Sequence, residues 1–294
     1  MKALALALSA CFVVACGGPA AQAHPGPTPS VSPASGQTSS PTPSPPPTPS
    51  HVFVIVMENH TYSQSLAGRY TASLASHYPA ATNYHGVSHP SLPNYLAMTS
   101  GSTWGIADDG YHRLPAGGLG AQLTTAGIPW RAYMEGMSGG CFHSPYPYAL
   151  KHNPFAYYGS TCPPQVVPFT HFATDMKGDV PRLVWITPGL CNDGHDCSTA
   201  VADQWLAQTV PVILATSAWQ QDGLLLITWD EGYDSANHVL TLVIHPRPAA
   251  RSSSLAYNHY SLLATIEDRL GVARLGAAQQ AGAMTDLLTT SPAP

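Results

Sequence analysis

The amino-acid sequence predicts an α/β domain with a largely parallel sheet and helices on both faces, and two observations carry that expectation. Four short apolar runs show no polar alternation: Val52 to Met57 (V-F-V-I-V-M), Leu183 to Ile186, Leu224 to Trp229 and Val239 to Ile244. Such runs read as strands buried on both faces, as in parallel sheets. Between them lie segments with helical spacing, and alternation of strand and helix along a chain argues for a parallel α/β layer. Thr199 to Leu214 is one of these, and Pro211 should kink or break it, because proline lacks the N–H and crowds the preceding turn. His259 to Leu270 is another, with Leu262, Leu263, Ile266 and Leu270 on one side, Asn258 as a cap and Gly271 as a stop.

Composition narrows the function classes. Charged residues make up 9% of the 294-residue chain and the hydrophobic set 44%, which is enough apolar material for a real core. With 11 basic against 16 acidic residues the net charge is −5, and only three residues are lysine. No basic stripe exists to neutralise a polynucleotide backbone, so nucleic acid is not an expected partner. Histidine stands out instead, at 14 residues.

The first 50 residues differ from the rest. Residues 1–23 combine Lys2, an apolar run from Ala3 to Ala15 and small residues downstream, the layout of a secretory signal too short to span a bilayer. Two cleavage readings compete: Val13-Val14-Ala15-Cys16 has the form of a lipoprotein box, which would anchor Cys16, whereas Ala21-Gln22-Ala23 suits cleavage before His24. The lipid anchor is favoured. Residues 24–50 read as a disordered linker, with 10 prolines between Pro25 and Ser50, able to hold the domain of residues 51–294 up to about 80 Å from an anchor. The protein is therefore expected outside the cell membrane, lipid-anchored or secreted. Cysteine usage agrees: Cys141, Cys162, Cys191 and Cys197 form an even set in the domain, and two disulfides are expected. Of the three pairings, Cys141–Cys162 and Cys191–Cys197 close the shortest loops.

Ligands of such folds bind beyond the carboxyl ends of the strands. There, Val52 to Met57 delivers Glu58-Asn59-His60, and Leu224 to Trp229 delivers Asp230-Glu231-Gly232. If both strands are central, Glu58, Asp230 and Glu231 converge, which is unfavourable unless a cation or retained protons offset the charge. A divalent metal would do so, and with the amide oxygen of Asn59 the all-oxygen set suits Mg²⁺, Ca²⁺ or Mn²⁺ better than Zn²⁺. Between the two pairs lies His89-Pro90-Ser91-Leu92-Pro93-Asn94-Tyr95, followed by a short helix that puts Ser91 near an N-terminus favourable to an anion. By pattern alone Ser91 is equally well the cap of that helix.

The ordered series M-E-N-H, H-P-S-L-P-N-Y, K-H-N-P-F, C-N-D-G-H-D, T-W-D-E-G and Y-N-H-Y-S-L-L, from about Val52 to Gly271, resembles the bacterial and fungal phosphoesterase family of the alkaline phosphatase superfamily, which includes acid phosphatases and phospholipase C enzymes. The resemblance implies an alkaline-phosphatase-like core, metal binding by Glu58, Asn59, Asp230 and Glu231, and a phosphoserine intermediate on Ser91. It implies metal- or phosphate-binding roles for His195 and His259, a shared site for Asn192 and Asp193, and phosphate contact or leaving-group protonation by His152 beside Lys151. The metal count stays open between one and two, and its identity among Mg²⁺, Ca²⁺, Mn²⁺ and Zn²⁺. Ser91-Leu92-Pro93 also begins like a sulfatase motif, but Asn94-Tyr95 departs from it. The expected activity is hydrolysis of phosphate monoesters. The alternatives are a phospholipase C-type diesterase acting on a phospholipid and, from another class, a non-catalytic cell-surface binding module. Oligomeric state is not readable.

Overall fold

The computed structural model describes residues 50–249 and 251–288. The expected leader, the Cys16 anchor and the linker up to residue 49 lie outside them. Ser50, expected to end the linker, belongs to the folded domain: it is buried and its Oγ donates to Asp222 Oδ2 at 3.2 Å.

Nine strands are present among the described residues: β1 (Val52–Met57), β2 (Ala80–Ala81), β3 (Tyr84–His85), β4 (Trp130–Met134), β5 (Val166–Pro168), β6 (Leu183–Thr187), β7 (Leu224–Trp229), β8 (Thr241–Ile244) and β9 (Tyr257–Asn258). Eight α-helices accompany them among the described residues: α1 (Tyr62–Ser65), α2 (Arg69–His77), α3 (Ser91–Ser100), α4 (Gly118–Thr125), α5 (Phe172–Asp175), α6 (Thr199–Leu214), α7 (Ser217–Asp222) and α8 (His259–Leu270). Seven strands form one sheet in the order β2-β8-β7-β1-β6-β4-β5, while β3 and β9 pair separately. The run β7-β1-β6-β4-β5 is parallel, and β8 turns antiparallel against β7. Every residue of β1, β6 and β7 is buried, so both faces of the sheet centre are covered and no alternation is needed. Helix α3 packs with α8, and α2 with α6.

Two expectations are adjusted. The run from Val239 becomes a ladder only at Thr241, because Val239 and Leu240 bond individually to Tyr84 and Trp229 on the way in. Pro211 does not break α6, which runs on to Leu214. Proline removes one N–H, and burial of Val210 and Ile213 on either side holds the final turn against the core. Strand β4 had no readable signature, since Arg131 interrupts it; that side chain is satisfied by Asp175. The two disulfides pair as the shortest loops suggest, Cys141 with Cys162 and Cys191 with Cys197.

Helix α8 begins and ends as its residues dictate. Asn258 Oδ1 accepts the N–H groups of Tyr260 and Ser261, and Gly271 closes the helix at φ 73°, a left-handed conformation natural to glycine. Its Glu267 is fully buried; Oε1 accepts Leu275 N–H at 2.9 Å while Oε2 has no partner. Burial pushes its pKa up to about 8, against the opposing pull of the Leu275 N–H and Arg274. A carboxyl that holds its proton in the folded state to about 8, but releases it near the ordinary value when unfolded, stabilises at low pH and loses that contribution as pH rises through 8. Glu267→Gln keeps the acceptor and never ionises. It should leave the melting temperature nearly unchanged at pH 5 and raise it by roughly 5 °C at pH 9, measured against wild type at each pH.

Candidate active site

The site is assembled by sheet register. Met57 lies opposite Trp229 across the β1–β7 ladder, so the residues that follow, Glu58-Asn59 and Asp230-Glu231, emerge side by side at the carboxyl edge. Asp230 N–H donates to Met57 O at 3.0 Å, and Asn59 N–H to Asp230 Oδ1 at 3.2 Å. On the other flank of β1, the loop after β6 brings Asp193, whose carbonyl accepts Glu58 N–H at 2.9 Å. Asn59 holds φ 56°, left-handed for a residue with a side chain, a conformation asparagine tolerates better than most.

Helix α3 supplies the serine. Pro90 is its cap, so Ser91 is the first helical residue rather than the cap. Ser91 Oγ donates toward Glu58 Oε2 at 3.1 Å and Glu231 Oε1 at 3.4 Å. Asn94, one turn on, fixes the entry to the helix: its Oδ1 accepts the N–H groups of Val87 and Ser88, and its Nδ2 donates to the carbonyls of Ser88 and Pro90. Tyr95 OH donates to Glu58 Oε1 at 2.5 Å, and His89 Nδ1 bonds Glu231 Oε2. His152 stacks on the Tyr95 ring and lies 3.3 Å from Glu58 Oε2 and 3.4 Å from Asp193 Oδ2, close but not directed as hydrogen bonds. His152 is therefore set among the acids.

Electrostatics match that crowding. Burial drives the carboxyls of Glu58 and Asp230 well above the ordinary range, reinforced for Glu58 by Asp230 and Asp193 and for Asp230 by Glu231. Burial raises Asp193 to about 7 even though the His195 N–H opposes it, and raises Glu231 against its bond with His89. Burial, with Lys151 and His195 adding to it, holds the His152 imidazole well below its usual value. These acids must keep protons or gain positive charge from outside, because the site supplies too little of its own.

Unpartnered atoms mark where a cation could be held. Asn59 Oδ1 and Asp230 Oδ2 are buried and accept no hydrogen bond. With Glu58 and Glu231, both of which reach Ser91, they are the oxygens that could hold a hard divalent metal. A second set shares Glu58: its carboxylate, His152 and Asp193 offer ligand atoms within 4.8 Å of one another, and both ring nitrogens of His152 and Asp193 Oδ2 are likewise unpartnered. An imidazole among the donors suits a borderline metal such as Zn²⁺.

The remaining candidates divide. Lys151 and His195 stand at the solvent edge, Lys151 Nζ 3.1 Å from His195 Nε2, and His195 N–H donates to Asp193 Oδ1 at 2.7 Å. Asn192 is turned away, its amide donating to Glu135 Oε1 at 2.9 Å. His259 is buried with both ring nitrogens engaged, Nδ1 with Tyr84 OH at 2.9 Å and Nε2 with the Asp230 carbonyl at 2.5 Å. It braces the Asp230 backbone instead of presenting a free nitrogen. Tyr95, His89 and Asp109 carry no signal of these contacts in the sequence, although the first two lie inside the H-P-S-L-P-N-Y motif.

Residues 64–273 match the Phosphoesterase family model. The phosphate-repressible acid phosphatase of Penicillium chrysogenum is 30% identical over 243 residues, covering 76% of this chain and 59% of that protein. An acid phosphatase of Aspergillus fumigatus is also 30% identical, with 55% of its length covered, so the chain spans little more than half of these relatives. A phosphatidylinositol-3-phosphatase of Mycobacterium tuberculosis is 29% identical over 251 residues, 81% of this chain and 82% of that one. Among solved structures, the phosphonate monoester hydrolase of Agrobacterium radiobacter superposes with a TM-score of 0.57 at 12% identity, over 82% of this chain and 78% of that one, a likeness of fold. A Vibrio parahaemolyticus protein of the alkaline phosphatase superfamily superposes at 0.54.

Proposed function

Because the chain belongs to the Phosphoesterase family, we propose that it hydrolyses phosphate monoesters in the manner of an acid phosphatase, with Ser91 as nucleophile and a divalent cation held by Glu58, Asn59, Asp230 and Glu231. One observation carries the reading: a serine hydroxyl at the first residue of a helix, within hydrogen-bond reach of two buried carboxylates whose chain neighbours, Asn59 and Asp230, each leave a buried oxygen unpartnered. Bound there, the cation would offset the carboxylate charge, favour loss of the serine proton and polarise the phosphoryl group.

The chain's own groups divide the work. Ser91 Oγ bonds to phosphorus as the bond to the leaving oxygen breaks, and the proton the serine gives up is balanced by the one the leaving oxygen takes up, through solvent at the open edge, to depart as alcohol. Water then releases phosphate from the serine. Tyr95 and His89 hold Glu58 and Glu231 in place from either side, and His259 holds the Asp230 backbone. Lys151 and His195, at the open edge, meet the phosphoryl oxygens. Asp193 and His152 stand beside Glu58, where their unpartnered atoms would serve as ligands of a second ion.

A phosphoinositide headgroup is also a monoester, and the name of the mycobacterial relative makes it the first lipid substrate to try. The two disulfides support export, with or without an anchor at Cys16. The test is a metal panel. Chelated protein should not hydrolyse an aryl phosphate, and one or more of Mg²⁺, Ca²⁺, Mn²⁺ and Zn²⁺ should restore turnover. Metal analysis of the active form then counts ions, one if only the all-oxygen set fills, two if the His152 set does as well. A protein inert with all four metals would end this proposal and leave the binding-module reading.

A further inference from the structure

Asp109 lies outside every motif of the site, yet its two oxygens join two parts of it. Oδ1 accepts the backbone N–H of Leu92 at 3.0 Å, next to the nucleophile in the first turn of α3, and Oδ2 accepts Lys151 Nζ at 2.8 Å. Both partners are distant in sequence. Asp108, by contrast, serves only its own turn, through Gly110 N–H and His112. Lys151 Nζ also donates to His195 Nε2 at 3.1 Å, which fixes His195 as the tautomer carrying its proton on Nδ1, toward Asp196 Oδ1 at 2.7 Å. The resulting chain runs from Asp196 through His195 and Lys151 to Asp109 and the α3 N-terminus. An ammonium has three N–H donors. Two are engaged here, and the third is left for an anion at the solvent edge, where Lys151 is partly exposed.

We infer that Asp109 is a positioning residue that holds the Lys151 ammonium in register with Ser91, so that one phosphoryl group meets the cation and the hydroxyl together. This rests on the phosphoesterase reading of the site. The helix N-terminus alone would not achieve the same, because the Leu92 N–H that could have faced the phosphate is already taken by Asp109. The cation is what remains, and its position is set by the same carboxylate that occupies the helix end.

Asp109→Asn separates the two contacts: the amide oxygen still accepts Leu92 N–H, while the charge that holds Lys151 is gone. Inorganic phosphate is the probe, read by calorimetry on the full chain and as a competitive inhibitor of aryl phosphate hydrolysis. Asp109→Asn and Lys151→Met should each weaken phosphate binding about tenfold or more, and raise KM more than they lower kcat. The double variant should be no worse than Lys151→Met, because both changes disable one ammonium. A melting temperature close to wild type is expected for Asp109→Asn, since the helix contact survives.

Phosphate affinity within about twofold of wild type in Asp109→Asn, or effects of the two changes that multiply, would overturn the inference. So would a wild-type chain that binds no phosphate. A wild-type chain that binds phosphate but hydrolyses no ester would remove the proposed activity, and the calorimetric comparison of variants would still decide the role of Asp109.

Discussion

Replacing Ser91 with alanine is expected to lower turnover of an aryl phosphate by about three to four orders of magnitude while moving the melting temperature by no more than about 2 °C. The two effects separate because of what the side chain does and does not touch. Its Oγ makes no contact with the helix it begins; it reaches only Glu58 and Glu231. Capping of α3 falls elsewhere, on Asp109 at Leu92 N–H and on the four bonds made by Asn94. Alanine at the first helical position is tolerated, and the lost hydrogen bonds are to carboxylates that keep Tyr95 and His89 as partners. Nothing in the site can replace the nucleophile at the same point, so loss of activity should be close to complete. Residual turnover within about tenfold of wild type would mean that water attacks directly and the serine is an orienting group. Acid quench of wild type during turnover, followed by peptide mass analysis, should find phosphate on Ser91.

Much of this arrangement was open to reading because burial writes a plain signature. Strands β1, β6 and β7 are wholly buried, and a run of six apolar residues such as V-F-V-I-V-M has few other uses. Acids placed at the first residue after such a strand stand out against it, which is why Glu58 and Asp230 could be paired before their register was known. Strand β4 escaped because Arg131 finds Asp175 in tertiary structure, and β2, β3 and β9 are too short to have a period. Contacts between distant loops left no trace at all. Asp109 sits in Asp108-Asp109-Gly110, which reads as an ordinary turn, and its partner Lys151 is 42 residues away. Motif order also cannot say which way a side chain faces. Asn192 and Asp193 are consecutive in C-N-D-G-H-D, yet one amide bonds Glu135 while the neighbouring carboxyl meets His152. His259 shows the same limit, since the resemblance offers it as a metal- or phosphate-binding residue, whereas in the fold Tyr84 and the Asp230 carbonyl take both nitrogens.

The carboxylates that were legible should also separate stability from activity, with opposite signs in one variant. Asp230→Asn keeps the acceptor for Asn59 N–H and replaces the unpartnered Oδ2 by a neutral donor among carboxylates. In chelated wild-type protein, Glu58, Asp230 and Glu231 are buried together, and each must either repel its neighbours or retain a proton. Removing one charge relieves this, so the metal-free variant should melt higher than metal-free wild type at pH 7, by about 1 to 3 kcal/mol of stability. Saturating divalent metal should raise the wild-type melting temperature, because a ligand that binds only the folded state stabilises it in proportion to its affinity, and should raise the variant far less. Turnover in Asp230→Asn should fall at least about a hundredfold with metal present. The pattern is specific to a metal site. If Asp230 were a solvated loop residue, Asn would change neither melting curve, and if it were only structural, Asn would lower both. A variant that melts higher without metal, responds weakly to metal and turns over poorly is expected only where the fold carries unfavourable charge for the sake of a cation.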